Sequence, residues 1–156
     1  MPVRLASLTR PELIFPDLPS GPDGNRDAVL RALAGRIAGL GLVRDAEGLF
    51  QKLWEREQLG STGIGSGIAI PHCKLPGLTQ GVVAIGMVPG GVDFGAADGE
   101  PVRLLFLVLS PSASPGEHLQ VLATISRWIK AGTNADRILE LREPEAVVRF
   151  LEEEGR

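Results

Sequence analysis

The 156-residue chain has one cysteine, two histidines, no excess of positive charge and no long apolar run. The lone Cys73 cannot form an internal disulfide, so nothing points to an oxidising compartment, and a reducing cytoplasm is the expected setting. A formal net charge of -3 lacks the basic field that neutralising a phosphate backbone requires, so general nucleic-acid binding is not expected. The opening MPVRLASLTRPELIFPDLPSGPDG carries prolines and acids where a secretory peptide needs an unbroken apolar stretch. The most apolar strand-like run, Leu104 to Leu109, is far shorter than the roughly 20 residues of a membrane helix. Any service to a membrane system is therefore expected to come from solution, without membrane insertion.

What is present reads as one ordinary folded domain, expected over 1–156 with a core of roughly 5–152. Hydrophobic residues make up 44% and charged residues 22%, a soluble globular composition rather than a disordered one. Between Asn25 and Leu42, Val29, Leu30, Leu33, Ile37 and Leu40 recur at helical steps, and Gly39 with Gly41 ends the pattern. Asp45 predicts the cap of a second helix carrying Leu49, Phe50, Leu53 and Trp54, with Arg56 and Glu57 in its last turn and Gly60 as its stop. Strands are expected at Ile68 to Ile70, Gly81 to Val88 and Val102 to Leu109. Pro71 should end the first of these, because it has no N–H for a sheet ladder. Ser114-Pro115-Gly116-Glu117 has the residue types of a capping box, so His118 falls in the first turn of a helix running through Lys130. A last helix follows Pro144, with Val147, Val148 and Leu151 facing inward. Alternating helices and strands, without internal repeats, predict an α/β layered domain.

The chemistry concentrates in "GSTGIGSGIAIPHCK", Gly60 to Lys74. Side chains alternate in an extended segment, so Ile68, Ile70 and His72 share a face and His72 ends the apolar run. Gly60, Gly63, Gly65 and Gly67 allow tight turns and close approach, making the backbone of Ser61, Thr62, Gly63, Gly65 and Gly67 a candidate anion-holding loop. His118, at a helix start, should stay neutral, because the helix N-terminus disfavours an imidazolium. Arg56 adds a planar cation suited to phosphate oxygens. Each of these residues has an ordinary explanation alone, as a packed or exposed histidine, a packing loop or a helix-terminal arginine. Together they fit phosphoryl transfer, with a neutral imidazole attacking phosphorus while a cation, backbone N–H groups and a second imidazole hold the oxygens. No Walker or kinase motif is present, and His72, Cys73 and His118 lack the spacing of a closed zinc site, so neither a cofactor nor a metal is expected. The phosphoryl donor is then expected to be another protein.

"EREQLGSTGIGSGIAIPHCK", followed downstream by "EHLQVLATISRWI", resembles the IIA domains of the bacterial phosphoenolpyruvate-dependent phosphotransferase system, in the fructose/mannitol/nitrogen-regulatory class. Glu57, Ile64-Gly65 and Ile68 through Cys73 carry the signature, and the similarity extends over nearly the whole chain, closest to the stand-alone nitrogen-regulatory branch. The resemblance implies a mixed β-sheet flanked by helices. It implies that His72 is the phosphorylated histidine, accepting from a histidine phosphocarrier protein, with His118 and Arg56 stabilising the phosphoryl group. Downstream it implies a regulatory target protein or, in the sugar-uptake alternative, a IIB domain; the chain shows no attached IIB or membrane domain, and its motif wording favours regulation. A catalytically silent binding module is the alternative of another class. Cys73 stands where the family more often has glycine. An apolar rim including Ile64 and Leu75 is the expected docking face for the carrier.

Overall fold

The computed structural model describes residues 4–21, 24–130 and 133–154; the other positions of the expected 1–156 domain lie outside it. A six-stranded mixed sheet is covered by helices on both faces. The strands are β1 (Ile14–Phe15), β2 (Gly63–Gly65), β3 (Ile68–Ala69), β4 (His72–Leu75), β5 (Val82–Val92) and β6 (Val102–Pro111). The helices are α1 (Arg26–Gly39), α2 (Ala46–Gln58), α3 (Pro115–Lys130), α4 (Asn134–Leu141) and α5 (Pro144–Glu154). The order across the sheet is β1-β5-β6-β3-β2, with β4 also paired to β6.

Alternation along the central strands builds two cores. Ala84 and Val88 of β5 with Leu105, Leu107 and Leu109 of β6 pack with α1 and α2. Val83, Ile85 and Met87 with Leu104, Phe106 and Val108 face α3, α4 and α5. Burial on both faces explains why β6 reads as a continuous apolar run rather than an alternating one. Each such Leu or Phe contributes roughly 1.5–3 kcal/mol by burial. At Gly86 close packing excludes a side chain, since an added Cβ would lie 2.3 Å from Cδ1 of Leu18.

Of the expected start signals the Asp45 cap forms, whereas among the described residues no side-chain bond of the Ser114–Glu117 capping box is made. Asn25 is a cap that the sequence pattern did not single out. Asn25 accepts from the N–H of Ala28, and Asp45 from that of Glu47, which satisfies donors at the starts of α1 and α2. At α3 the N–H of His118 donates to the Ser114 carbonyl at 3.2 Å, closing the first turn. Helix α4, short β1 and the β2–β3 hairpin were not legible from periodicity. The segment after Pro71, expected only as a strand end, is a strand in its own right.

That segment places the site. β3 and β4 both run parallel to β6, pairing Ile68 with Leu104 and then His72 with Val108, so they are two halves of one line interrupted at Ile70-Pro71. Pro71 has no donor for the ladder, although its carbonyl accepts from the Val108 N–H at 2.9 Å. The break leaves the Ile70 carbonyl available to the side chain of His72.

Candidate functional site

Three elements bring the expected residues together. His72 opens β4, Arg56 lies in the last turn of α2, and His118 lies in the first turn of α3, four residues after Ser114. The Nε–H of Arg56 donates to Nε2 of His72 at 3.2 Å, and an Nη–H of the same guanidinium donates to the Gly60 carbonyl at 2.9 Å. The imidazoles of His72 and His118 face each other at a tilt of 53°, with centroids 5.4 Å apart. His118 is buried, whereas His72 and Arg56 are half-buried and remain open to solvent.

The hydrogen bonds define the state of His72. Its Nδ1 lies 2.8 Å from the Ile70 carbonyl, which can only accept, so Nδ1 carries the ring proton. Nε2 accepts from Arg56 and therefore holds the lone pair. Burial lowers the pKa of His72 below its ordinary value; the Ile70 bond opposes that shift, and the charge of Arg56 adds to it. His118 is pushed down to about 4, chiefly by burial and further by His72 and Lys74. The neutral His118 expected from helix position is thus reached mainly through desolvation. Its Nδ1 pairs with the buried hydroxyl of Ser110 at 2.6 Å.

The glycine-rich loop holds the site in a way the sequence did not reveal. The Thr62 N–H donates to Oε2 of Glu57 at 3.1 Å, and the Thr62 hydroxyl donates to the other carboxylate oxygen. The Gly63 N–H donates to the Ser61 hydroxyl oxygen at 3.0 Å, and that hydroxyl donates to the Phe94 carbonyl at 2.6 Å. These two N–H groups, expected to face an anion, are engaged within the protein. Gly65 and Gly67 flank the hairpin turn, both at positive φ, with Ser66 between them at φ 58. The Ser66 N–H is held by Asp98 at 2.9 Å. Glycine is needed at both flanks because side chains at such φ values are strained.

Glu57, read from sequence only as part of the family signature, clamps the loop in a way that residue chemistry missed. It is buried on the apolar face of α2 beside Leu53, with Nη1 of Arg26 3.8 Å from its Oε2. The available signal was its spacing: a carboxylate four residues after Leu53 on a helix needs polar partners inside. Two other expectations resolve clearly. Leu75 is buried in the α1–α2 core, not on a docking rim, whereas Ile64 is 42% exposed. Cys73 packs toward the α1–α2 side of the sheet, opposite the face that carries Ile68 and Ile70.

The family described as "Phosphoenolpyruvate-dependent sugar phosphotransferase system, EIIA 2" matches residues 8–154. The chain belongs to that family. Among EIIA type 2 relatives, a "Nitrogen regulatory protein" of Pseudomonas aeruginosa is 39% identical over 130 residues, 83% of this chain and 84% of that protein. A "PTS system fructose-specific EIIA component" of Haloferax volcanii is 33% identical over 132 residues, 85% of this chain and 86% of that one. The crystal structure of nitrogen regulatory protein IIA-Ntr from Neisseria meningitidis superposes with a TM-score of 0.83 at 28% identity, covering 94% of this chain and 97% of that one. The mixed sheet flanked by helices is the EIIA type 2 fold. No helix among the described residues is long and apolar enough to cross a membrane.

Proposed function

We propose that His72 is the phosphoryl acceptor of a phosphotransfer protein and that a phosphohistidine on a carrier protein is the donor. The observation that carries this reading is the polarised state of His72, with its proton on Nδ1 against Ile70 and its lone pair on Nε2. In the step, Nε2 of His72 forms a bond to phosphorus as the nitrogen–phosphorus bond of the donor breaks, and that electron pair returns to the donor imidazole. Arg56 releases His72 and turns its N–H groups toward the equatorial oxygens, where positioned charge is worth most. His118, neutral and buried, supplies a further donor. The Ile70 carbonyl disperses the positive charge that develops on the His72 ring. In this reading the loop acts mainly by holding Gly60, and through it Arg56, in place.

The phosphoryl group then acts as a signal: phosphorylation of His72 alters binding to a regulatory target in the cytoplasm. Similarity to nitrogen regulatory proteins over most of both chains favours this use. Donation to a IIB domain during sugar uptake is the second reading, and the fructose-specific relative favours it. Leu59 and Leu119, 86% and 66% exposed, immediately follow the site segments of α2 and His118, and with Ile64 they offer an apolar rim to either partner.

The test incubates the chain with phosphoenolpyruvate, the general enzyme of the system and its phosphocarrier, then measures acid-labile phosphate by mass. One phosphoryl group per chain is expected, and none in His72→Ala. Equal incorporation in both proteins would refute the assignment.

A further inference from the structure

Ser110 lies near the end of β6, opposite Lys74, and is 1% exposed. Its hydroxyl has one proton to place. Among the described residues its only hydrogen-bond partner is Nδ1 of His118, at 2.6 Å. Two arrangements satisfy that distance. If Nδ1–H donates to the hydroxyl oxygen, the Ser110 proton is left in the core without an acceptor. If the hydroxyl donates to Nδ1, the Ser110 proton has its acceptor and the ring proton moves to Nε2, which is not among the fully buried unpaired atoms. A buried donor without an acceptor costs more than a typical hydrogen bond gains, which decides between the two.

We infer that the Ser110 hydroxyl donates to Nδ1 of His118 and so holds this imidazole in the tautomer with its proton on Nε2. This rests on the phosphotransfer reading only for its consequence, which is that His118 presents an N–H to a phosphoryl oxygen. The opposite tautomer would present a lone pair to an atom that itself carries lone pairs. Tautomer choice matters because His118 is neutral at physiological pH and has a single ring proton. Ser110 is thus a positioning residue: it reaches the reaction only through the ring it polarises. The arrangement parallels that of His72 with its sense reversed. Ile70 pulls the proton to Nδ1 and leaves Nε2 a nucleophile, whereas Ser110 fills Nδ1 and leaves Nε2 a donor.

The experiment uses the full chain with 15N-labelled histidine and long-range proton–nitrogen correlation at neutral pH. Two histidines make assignment direct, with His118→Gln removing one set of signals. Wild type is expected to show His118 protonated on Nε2, and Ser110→Thr, which keeps the hydroxyl, to show the same. In Ser110→Ala the ratio of the two forms should move about fivefold toward Nδ1–H, the size a single neutral hydrogen bond supports. Single-turnover phosphorylation of His72 should slow by a similar factor, with its dependence on carrier concentration unchanged. Wild-type His118 protonated on Nδ1, or a ratio untouched in Ser110→Ala, overturns the inference, and the wild-type spectrum decides even if a variant folds poorly. If the tautomers are as expected but His72 takes no phosphoryl group, the phosphotransfer reading fails and the Ser110 assignment stands. If His72 is phosphorylated while His118 carries its proton on Nδ1, only the assignment falls.

Discussion

Arg56 donates to Nε2 of His72 at 3.2 Å, on the side of the ring opposite the Nδ1 bond to Ile70. The contact marks the nitrogen that holds the lone pair, and it keeps a cation at the position where a phosphoryl group would arrive. In the proposed mechanism the arginine orients His72 before transfer. During transfer it can exchange that bond for ones to phosphoryl oxygens without leaving its helix.

Arg56→Ala is expected to slow single-turnover phosphorylation by about 10²-fold, the scale of removing a positioned donor from developing charge. Arg56→Lys should recover only part of this loss, because a point charge cannot bond His72 and the Gly60 carbonyl through a rigid fork. Rapid-quench measurement with a phosphorylated carrier in excess checks both variants. Full activity in Arg56→Ala would remove the arginine from the mechanism.

Both histidines titrate below their ordinary value of 6.5. The unfolded chain therefore binds more protons than the folded one in mildly acidic solution, and stability should fall as pH drops from about 6.5 toward 4. For His118 the loss is about 3 kcal/mol once pH is below both of its values. Urea denaturation across this range should show the decline, with a shallower slope in His118→Gln. Nuclear magnetic resonance titration should place the His118 midpoint near 4 and that of His72 below 6.5.

Glu57→Ala leaves the Thr62 N–H and hydroxyl without their buried acceptor and Arg26 without its carboxylate. A destabilisation of about 3 kcal/mol is expected. Glu57→Gln, which keeps one acceptor oxygen, should lose less. Hydrogen exchange at Thr62 should rise in both variants, more in Glu57→Ala, and an unchanged exchange rate would show that the clamp does not hold the loop.

Layered architecture, α1, α2, α3, α5 and the two long strands were legible because apolar spacing and capping residues act locally. Helix α4 was not, since only Ile138 is fully buried in it and its eight residues carry no strong cap. His72, Arg56 and His118 could be selected from residue chemistry and resemblance. Their meeting could not, because it depends on β4 restarting after Pro71 beside β6 and on α3 returning over the same edge. The loop misled in one respect: its small, flexible residues suggested free N–H donors, but Glu57 and Ser61 engage two of them. Partners so close in sequence were visible as residues but not as bonds.

Cys73 stands beside the proposed nucleophile in sequence yet behaves as a packed residue. Burial pushes its thiol up to about 12, with only partial opposition from Lys52. Alkylation by iodoacetamide at pH 8 should be much slower in the folded chain than in urea. Cys73→Ala should phosphorylate within about twofold of wild type, since a small side chain on the opposite face touches no reacting atom. Rapid alkylation of the native chain would show a thiolate that this environment does not support.

The most direct test of the central claim is the identity of the phosphorylated atom. After transfer from phosphoenolpyruvate through the carrier at alkaline pH, nitrogen and phosphorus resonance spectra of 15N-histidine-labelled chain should show phosphorus bonded to Nε2 of His72. The Nδ1 proton should persist, held by the Ile70 carbonyl. A phosphoryl group on Nδ1 of His72, or on any other residue, would contradict the account.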